Sequence, residues 1–375
     1  MRKLLSALLI FLLLAPSALA VHAAETDALD LSADSAVLLE QSTGTVLYEK
    51  DAHARRAPAS VTKVMTLLLI AEAVERGTIA LTDTVTASDT AAGMGGSQIW
   101  LEAGESMTVD EMIKCIAVVS ANDCAVAMAE KLAGSESAFV QKMNARAAEL
   151  GMTDTHFVNC TGLTDDPEHY TSAWDVALMS RELLTHDWIQ DYTTIWMDEV
   201  RGGEFKLSNT NRLVRSFDGA TGLKTGFTQE AMYCLAASAE RDGIAFVAAV
   251  LHAPSSDQRF ADAAALLNYG FSAYTLWTAE ANVALPPVRV NLGTRESIQP
   301  VCEKGTVLLD KDGGAVEYEI LLPDSIEAPV QAGDPLGTLR VTNSGGTAAE
   351  IRLLAAEDAA RLTLWQVWGK LLKGL

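Results

Sequence analysis

Positive charge is scarce in this sequence. Its 375 residues include 28 lysines and arginines against 49 aspartates and glutamates, which leaves a formal net charge of −21. A chain with this balance repels polyanions, so nucleic acid is not expected as a partner. Hydrophobic residues make up 49% and charged residues 21%, as in a packed globular protein. The length predicts two globular domains with terminal extras.

Cysteine is also rare. The five cysteines are irregularly spaced and form no C-x-x-C pair: Cys115, Cys124, Cys160, Cys234 and Cys302. This pattern does not describe a disulfide framework; small buried apolar residues are expected, with a single disulfide left open. The chain lacks H-E-x-x-H, a phosphate loop and a G-x-S-x-G elbow. The acidic segment 165–168 is interpreted as a solvated turn, so no metal or cofactor is expected.

The N-terminal apolar run is too short to span a membrane. It extends from Leu4 to Leu14 after Arg2 and Lys3, whereas a spanning helix needs about 20 residues. Small residues follow, and the small-x-small rule allows cleavage after Ala20 or after Ala24. We therefore predict a signal peptide over residues 1–24 and an exported protein, with an uncleaved membrane helix as the alternative.

Alternating and helical patterns divide the body of the chain. Short apolar runs at 35–40 and 45–50 predict a β-hairpin, and the run 61–70 predicts a helix buried on all sides. Residues 105–189 carry mostly helical patterns, and strands return from Gly222 with a hairpin at 232–251. Sheet at both ends with helices between predicts an α/β domain over residues 25–280, built on an antiparallel sheet with a helical subdomain.

Two further segments complete the chain. Short alternating runs predict a small β-rich domain over residues 281–352. The tail, 353–375, ends in a helix whose wheel places two tryptophans and five aliphatic residues on one side and lysines on the other. Such a helix can lie in a membrane surface. The alternative is a terminal helix packed against its own domain.

Ser60 and Lys63 form the first candidate catalytic pair. Positions i and i+3 share one face of a helix, and Lys63 is the only charged residue between Arg56 and Glu72. Burial and a second nearby cation would lower the pKa of this lysine and let it act as a base for the serine. The alternative role for Ser60 is a helix N-cap after Pro58.

Two more motifs follow along the chain. Ser120-Ala121-Asn122 interrupts an apolar helical run; Ser120 could relay a proton and Asn122 could bind a substrate backbone, although Ser120 with Asp123 also matches a capping box. Before the first strand of the second hairpin, Lys224 offers a cation and Thr225 a hydroxyl for a carboxylate. Gly226 permits close backbone approach. The amide of Phe227 could join that of Ser60 in an oxyanion hole. The alternative is an ordinary glycine turn.

The three motifs in this order resemble those of the penicillin-binding and serine β-lactamase superfamily. The segments 55–66, 120–123 and 222–228 are similar to the low-molecular-mass serine D-Ala-D-Ala carboxypeptidases. So are 95–97, 159–163 and 169–172. The likeness covers residues 30 to 278, and a trailing β domain with an amphipathic tail is also the family's layout.

That resemblance implies an enzyme of cell-wall biogenesis. Ser60 would attack the bond between two D-alanines of a peptidoglycan stem peptide, Lys63 would accept its proton, and Ser120 would help protonate the departing D-alanine. Lys224 and Thr225 would hold the substrate's carboxylate, or that of a β-lactam inhibitor. Arg212 is a further candidate for that carboxylate, and residues 93–97 for a loop over the site. The enzyme would work at the outer face of the cytoplasmic membrane or be secreted.

Competing functions share parts of this pattern. A class A β-lactamase needs a Glu-x-x-x-Asn segment between the second and third motifs, and none is present. A transpeptidase or endopeptidase would use the same acyl-enzyme and stays open. A wall-binding module without catalysis would have no use for the whole set of residues.

Overall fold

The computed structural model describes residues 29–344 and 346–373. The predicted signal peptide, 1–24, lies outside these residues. Up to residue 273 the helices and strands follow in this order: β1 (Ser35–Glu40), β2 (Val46–Lys50), α1 (Lys63–Glu75), β3 (Thr84–Thr86), α2 (Asp89–Ala92), β4 (Ser106–Thr108), α3 (Val109–Val118), α4 (Asn122–Ala133), α5 (Glu136–Glu149), α6 (Ala173–Leu183), α7 (Gln190–Thr193), β5 (Met197–Val200), β6 (Phe205–Ser208), α8 (Leu213–Ser216), β7 (Ala220–Thr228), β8 (Met232–Arg241), β9 (Ile244–Ala253) and α9 (Ser256–Ala273).

An antiparallel sheet forms the centre of this region. Its strand order is β2-β1-β9-β8-β7, so the first strands of the chain pair with the last strand of the sheet. Both predicted hairpins, β1–β2 and β8–β9, are confirmed. Helix α9 packs against β8 and β9. The α/β class with an antiparallel sheet is confirmed.

Between β2 and β7, helices α3 to α6 lie in the segment 105–189, for which helices were predicted. Helix α3 begins at a capping box, in which Thr108 Oγ1 accepts from the amide of Glu111 and the Glu111 carboxylate accepts from the amide of Thr108. Helix α1 packs against α3, α4 and α6, and its residues from Lys63 to Ala71 are all buried. The prediction of a helix with no solvent-facing side is confirmed, and it carries Lys63 into the interior.

One local alternative is wrong. Lys224, Thr225 and Gly226 precede β8, the first strand of the second hairpin, as predicted. The glycine-turn alternative is wrong, because the three residues lie inside a strand of their own, β7, which pairs with β8 from Ala220 to Thr228. Glycine and lysine are poor strand formers, so the sequence pattern gives little sign of this strand. Pairing with β8 supplies the missing stability, and it places the three residues at the edge of the sheet.

The C-terminal region is rich in short strands. Its elements are β10 (Tyr274–Thr278), α10 (Ala279–Asn282), β11 (Val288–Asn291), β12 (Ser297–Ile298), β13 (Pro300–Cys302), β14 (Thr306–Asp310), β15 (Glu317–Leu321), β16 (Ser325–Glu327), β17 (Pro335–Asn343), β18 (Gly346–Ala355) and α11 (Leu364–Lys373). They form the sheets β10-β14, β12-β11-β16 and β13-β18-β17-β15. Two small hydrophobic clusters of their own stabilise these sheets.

Helix α11 presents its aromatic side chains to solvent. Trp365 is 86% exposed and Trp368 is 60% exposed, so neither indole is packed against the β sheets. Within the part of the chain that the structure describes, no helix is both long and apolar enough to cross a membrane. All five cysteines are free, so the disulfide left open by the sequence does not form.

Candidate active site

Ser60 lies in a tight turn in front of α1. The turn is a single 3-10 helix, Ala59–Thr62, and Ala59 has a φ of 47°, a strained conformation for a residue with a Cβ. No side chain caps this turn, and its N-cap position is Pro58. The N-cap alternative for Ser60 is therefore wrong, and the hydroxyl is free for another role.

Lys63 is completely buried beside this serine. Its Nζ donates to Ser60 Oγ at 3.1 Å and to the carbonyl oxygen of Thr161 at 2.8 Å. Burial lowers the pKa of Lys63 to about 7, while the neighbouring Cys160 and Asp123 act in the opposite direction. Near neutral pH a large share of Lys63 is therefore uncharged and able to accept a proton from the serine.

The segment behind the turn fixes its position. Gly162 has a φ of 76°, and a Cβ there would lie 1.8 Å from the carbonyl oxygen of Ala59, so only glycine permits this contact. His169 Nε2 pairs with Thr62 Oγ1 at 2.8 Å, and its Nδ1 accepts from the amide of Val158 at 3.0 Å. Burial lowers the pKa of His169 to about 4, so the imidazole is neutral near pH 7. Its two hydrogen bonds hold Thr62 at a fixed position relative to Val158.

Ser120 lies in the break between α3 and α4. It has a φ of 66°, and among the described residues its buried hydroxyl has no hydrogen-bond partner. The capping-box alternative is wrong, because the N-cap of α4 is Ala121 and the carboxylate of Asp123 accepts from the amides of Ile99 and Leu101. A buried hydroxyl left unpaired at a strained residue is available to a ligand.

Asn122 joins this break to the loop predicted over the site. Its side-chain nitrogen donates to the carbonyl oxygen of Gly95 at 2.7 Å, and its amide donates to that of Ser97 at 2.7 Å. Its side-chain oxygen has no partner in the described part of the chain. The loop 93–97 therefore borders Asn122, and this oxygen can accept from a substrate amide.

Strand β7 lies directly beside the serine turn. A Cβ on Gly226 would lie 2.7 Å from the carbonyl oxygen of Pro58 and 3.1 Å from the amide nitrogen of Ser60. Lys224 is buried, and this burial lowers its pKa well below the usual range. The positive charges of Lys63 and Arg259 lower the same pKa to a smaller extent. The side chain of Phe227 is 53% exposed.

Thr210 is a site residue that the sequence analysis missed. Thr225 Oγ1 donates to Thr210 Oγ1 at 2.7 Å, and the amide of Thr210 donates to the carbonyl oxygen of Val118 at 3.1 Å. The only available signal was the pair of asparagines around it, since Asn209 and Asn211 accept from amides two residues ahead, a turn chemistry typical of asparagine.

Among the residues that the structure describes, no arginine forms a hydrogen bond with Thr225. Arg212 instead pairs with Asp257 at 2.6 Å and lies over the ring of Phe260. Arg259 Nη1 donates to the carbonyl oxygen of Gly226 at 2.9 Å. Arg259 thus holds the backbone of β7 and adds positive charge near Lys224.

The structure places Ser60 and Lys63 beside the edge strand β7, which carries Lys224, Thr225, Gly226 and Phe227. Ser120 and Asn122 follow Val118, whose contact with Thr210 links their segment to Thr225. A serine beside a buried, proton-accepting lysine, with a second lysine on the neighbouring strand, defines a serine acyl-transferase of the penicillin-binding class.

Comparison with known proteins agrees with this class. The sequence model of the family described as D-alanyl-D-alanine carboxypeptidase, Peptidase_S11, matches residues 20–255. D-alanyl-D-alanine carboxypeptidase DacF of Bacillus subtilis is 45% identical, over 96% of this chain and 95% of that protein. Penicillin-binding protein 5 from Haemophilus influenzae has a solved structure with a TM-score of 0.80 and 26% identity, covering 89% of this chain and 99% of that one. The chain belongs to the D-alanyl-D-alanine carboxypeptidase family.

Proposed function

We propose that Ser60 is the nucleophile with which this protein, a serine-type D-Ala-D-Ala carboxypeptidase, removes the last D-alanine from peptidoglycan stem peptides. The contact of 3.1 Å between Lys63 Nζ and Ser60 Oγ, in a site that lowers the lysine pKa to about 7, carries the proposal. β-Lactams such as penicillin acylate the same serine, because their strained amide presents a carbonyl and a carboxylate in a similar arrangement.

In the first step a bond forms between Ser60 Oγ and the carbonyl carbon of the penultimate D-alanine. The hydroxyl proton passes to neutral Lys63. Ser120 then relays a proton to the nitrogen of the terminal D-alanine as the C–N bond breaks, and its unpaired buried hydroxyl supports this role. Water hydrolyses the ester and regenerates Ser60. The side-chain oxygen of Asn122 accepts from the peptide backbone and keeps the scissile bond in place.

Lys224 and Thr225 bind the terminal carboxylate. An anion beside Lys224 raises the pKa of this lysine, because an opposite charge favours the protonated form. Substrate binding therefore gives the two lysines different charges: Lys224 becomes protonated, while Lys63 stays neutral. The close contact at Gly226 leaves the amides of Ser60 and Phe227 to stabilise the oxyanion, each worth about 3 kcal/mol in such sites.

Thr210 supplies a second hydroxyl to this carboxylate site. When Thr225 Oγ1 turns to donate to the substrate, Thr210 can donate to Thr225 in its place. The variant Thr210→Val keeps the shape and removes that donor, so we expect KM to rise about fivefold with kcat nearly unchanged, as for one lost hydrogen bond near a charge. A matched change at Thr185, an exposed threonine after α6, should leave both constants unchanged.

Release of D-alanine from a soluble pentapeptide ending in D-Ala-D-Ala tests the function directly. The wild-type protein should release D-alanine and be labelled by fluorescent penicillin, and Ser60→Ala should do neither. The same assay with an added amino acceptor measures transpeptidation. Labelling that survives in Ser60→Ala would contradict the assignment of the nucleophile.

The segments before and after the catalytic domain determine where the enzyme is located. We assign residues 1–24 to a signal peptide, 25–280 to the catalytic domain, 281–352 to the β domain and 353–375 to a tail that lies on the membrane surface. The exposed indoles of Trp365 and Trp368 support the last assignment. In this arrangement the exported enzyme stays at the outer face of the cytoplasmic membrane.

A further inference from the structure

An exposed indole stands near the active site in a strained backbone conformation. Trp100 is 64% exposed, and its φ of 56° lies in the left-handed region, which a bulky residue adopts only where its surroundings enforce it. The residues on either side, Ile99 and Leu101, are buried. Packing alone does not require a tryptophan here, since its ring faces solvent.

Several interactions hold this conformation. The carboxylate of Asp123 accepts from the amides on both sides of Trp100, each at 3.0 Å. The guanidinium of Arg201 donates to the two carbonyl oxygens of residues 99 and 100, at 2.8 and 3.3 Å. Gln98, with its amide oriented to satisfy both neighbours, accepts from Trp100 Nε1 at 3.1 Å. The orientation of the indole is thus fixed before any ligand arrives.

The indole is one wall of a recess. We call Trp100, Phe205 and Arg201 the aromatic shelf: the two rings meet edge to face at 5.7 Å, and the Arg201 guanidinium lies 5.7 Å from the Phe205 ring centre. Trp100 and Arg201 also line an open cavity of about 610 Å³ together with Glu102, Ala103, Gly104 and Glu105. Glu105 is held by Arg201, whereas the exposed Glu102 carboxylate is free to accept from a ligand.

Short segments of the chain connect the shelf to the active site. Ser97, whose carbonyl oxygen accepts from Asn122, is three residues from Trp100, a span of at most about 10 Å. On the other side, the chain runs from Phe205 along β6 to Thr210, which contacts Thr225. A ligand that reaches from the cleft over this wall would meet the shelf.

The chemistry of the shelf favours a neutral carbohydrate. A fixed aromatic face packs against the apolar face of a pyranose ring, and a carboxylate accepts from sugar hydroxyls. Glu102, Glu105 and the net charge of −21 repel anionic polymers. We infer that the aromatic shelf binds the sugar backbone of a peptidoglycan strand while its stem peptide occupies the cleft. This inference rests on the proposed function, which supplies the peptide.

Binding of peptide-free glycan tests this inference without turnover. We would use the full mature chain with Ser60→Ala and titrate it with soluble, peptide-free oligosaccharides of glycan strands whose lactyl carboxyl groups are capped as simple amides, so that the probe is neutral. Trp100→Gly should weaken binding about tenfold, as for the loss of one aromatic contact. Glycine suits the φ of 56°, so this variant should fold. Trp100→Phe keeps a ring and should bind within about threefold of the parent.

Turnover gives a second, independent readout. On a free pentapeptide, Trp100→Gly should match the wild type, whereas on a disaccharide pentapeptide its kcat/KM should fall about tenfold. Tyr318→Ala, which removes an exposed aromatic ring from β15, should change neither rate.

The outcomes separate the two proposals. The inference is wrong if the parent chain does not bind glycan, or if Trp100→Gly binds glycan as tightly as the parent. A shelf that binds a protein instead of glycan would also contradict it. Failure of the wild type to release D-alanine from the free pentapeptide contradicts the proposed function instead. Binding to peptide-free glycan does not depend on that result.

Discussion

Lowering the pH should slow the acylation of Ser60 because it protonates Lys63. The pKa of Lys63 is lowered from 10.5 to about 7, so about half of the molecules carry a neutral lysine at pH 7, against about one in 3000 for an ordinary lysine. We expect the acylation rate by fluorescent penicillin to fall about tenfold for each pH unit below 6 and to level off above 8.

Lys63→Arg provides the matching variant. A guanidinium stays protonated in proteins, so acylation should fall by about a thousandfold across this pH range. Lys142→Arg, an exchange at an exposed lysine on α5, is the control and should follow the wild type. Stopped-flow or gel-based labelling from pH 5 to 9 measures both. A rate that does not change with pH below 7, or that survives in Lys63→Arg, would refute the role of Lys63 as the base.

The same burial makes Lys63 costly for stability. Between pH 7 and 10.5 the unfolded chain binds a proton that the folded chain lacks, so stability rises with pH across this window. A difference of this size is worth about 5 kcal/mol at pH 7 and below, and the hydrogen bond to Thr161 offsets about 1 to 3 kcal/mol of it. Lys63→Met should therefore abolish acylation while it raises the free energy of unfolding by about 2 to 4 kcal/mol, measured by urea denaturation at pH 7.

Three further predictions follow from other contacts. Gly162→Ala should destabilise the protein by more than about 3 kcal/mol and slow acylation, because the new Cβ would overlap the Ala59 carbonyl. Gly151 has a similar φ but open space around it. As the control, Gly151→Ala should therefore lower the stability by only about 1 kcal/mol, measured by thermal unfolding. The pKa of His169 is lowered from 6.5 to about 4, so stability should decline as the pH falls from 6.5 to 4, by up to about 3 kcal/mol; a melting temperature of His169→Gln that declines as steeply as that of the wild type would contradict this. A chain cut before Arg361, or one with Trp365→Glu and Trp368→Glu, should keep its rate on a soluble peptide and lose attachment to anionic vesicles; a truncated chain that still sediments with vesicles would disprove the anchor.

Local patterns predicted the contact between Ser60 and Lys63, for a physical reason. A serine and a lysine three positions apart meet on any helical turn, so Ser60 and Lys63 could be paired without knowledge of the fold. A lysine in an apolar helix also signals its own lowered pKa, and burial is indeed its main cause. We also expected a neighbouring cation to lower the pKa of Lys63. In the structure the effect is in the other direction: the charge of Lys63 lowers the pKa of Lys224.

Contacts between distant segments were not predictable in this way. Thr210 meets Thr225 only because a turn held by two asparagines faces β7, and neither residue carries a local sign of the other. His169 reaches Thr62 across 107 positions of sequence. The role of Ser120 was ambiguous, because the same sequence, a serine three residues before Asp123, fits both a capping box and a strained serine in an active site. The positive φ of Ser120 distinguishes the two, and it is visible only in the structure.

The order of strands in the central sheet also bears on biosynthesis. Strand β1 pairs only with β2 and with β9, whose register joins Ser35 to Leu251, so the middle of the sheet cannot close until more than 200 further residues have been synthesised. Contacts of such long range slow folding. Under the export proposed above, this delay is useful: the nascent protein can stay extended during translocation, and the turn that carries Ser60 is assembled only after the last strand of the sheet has arrived on the far side.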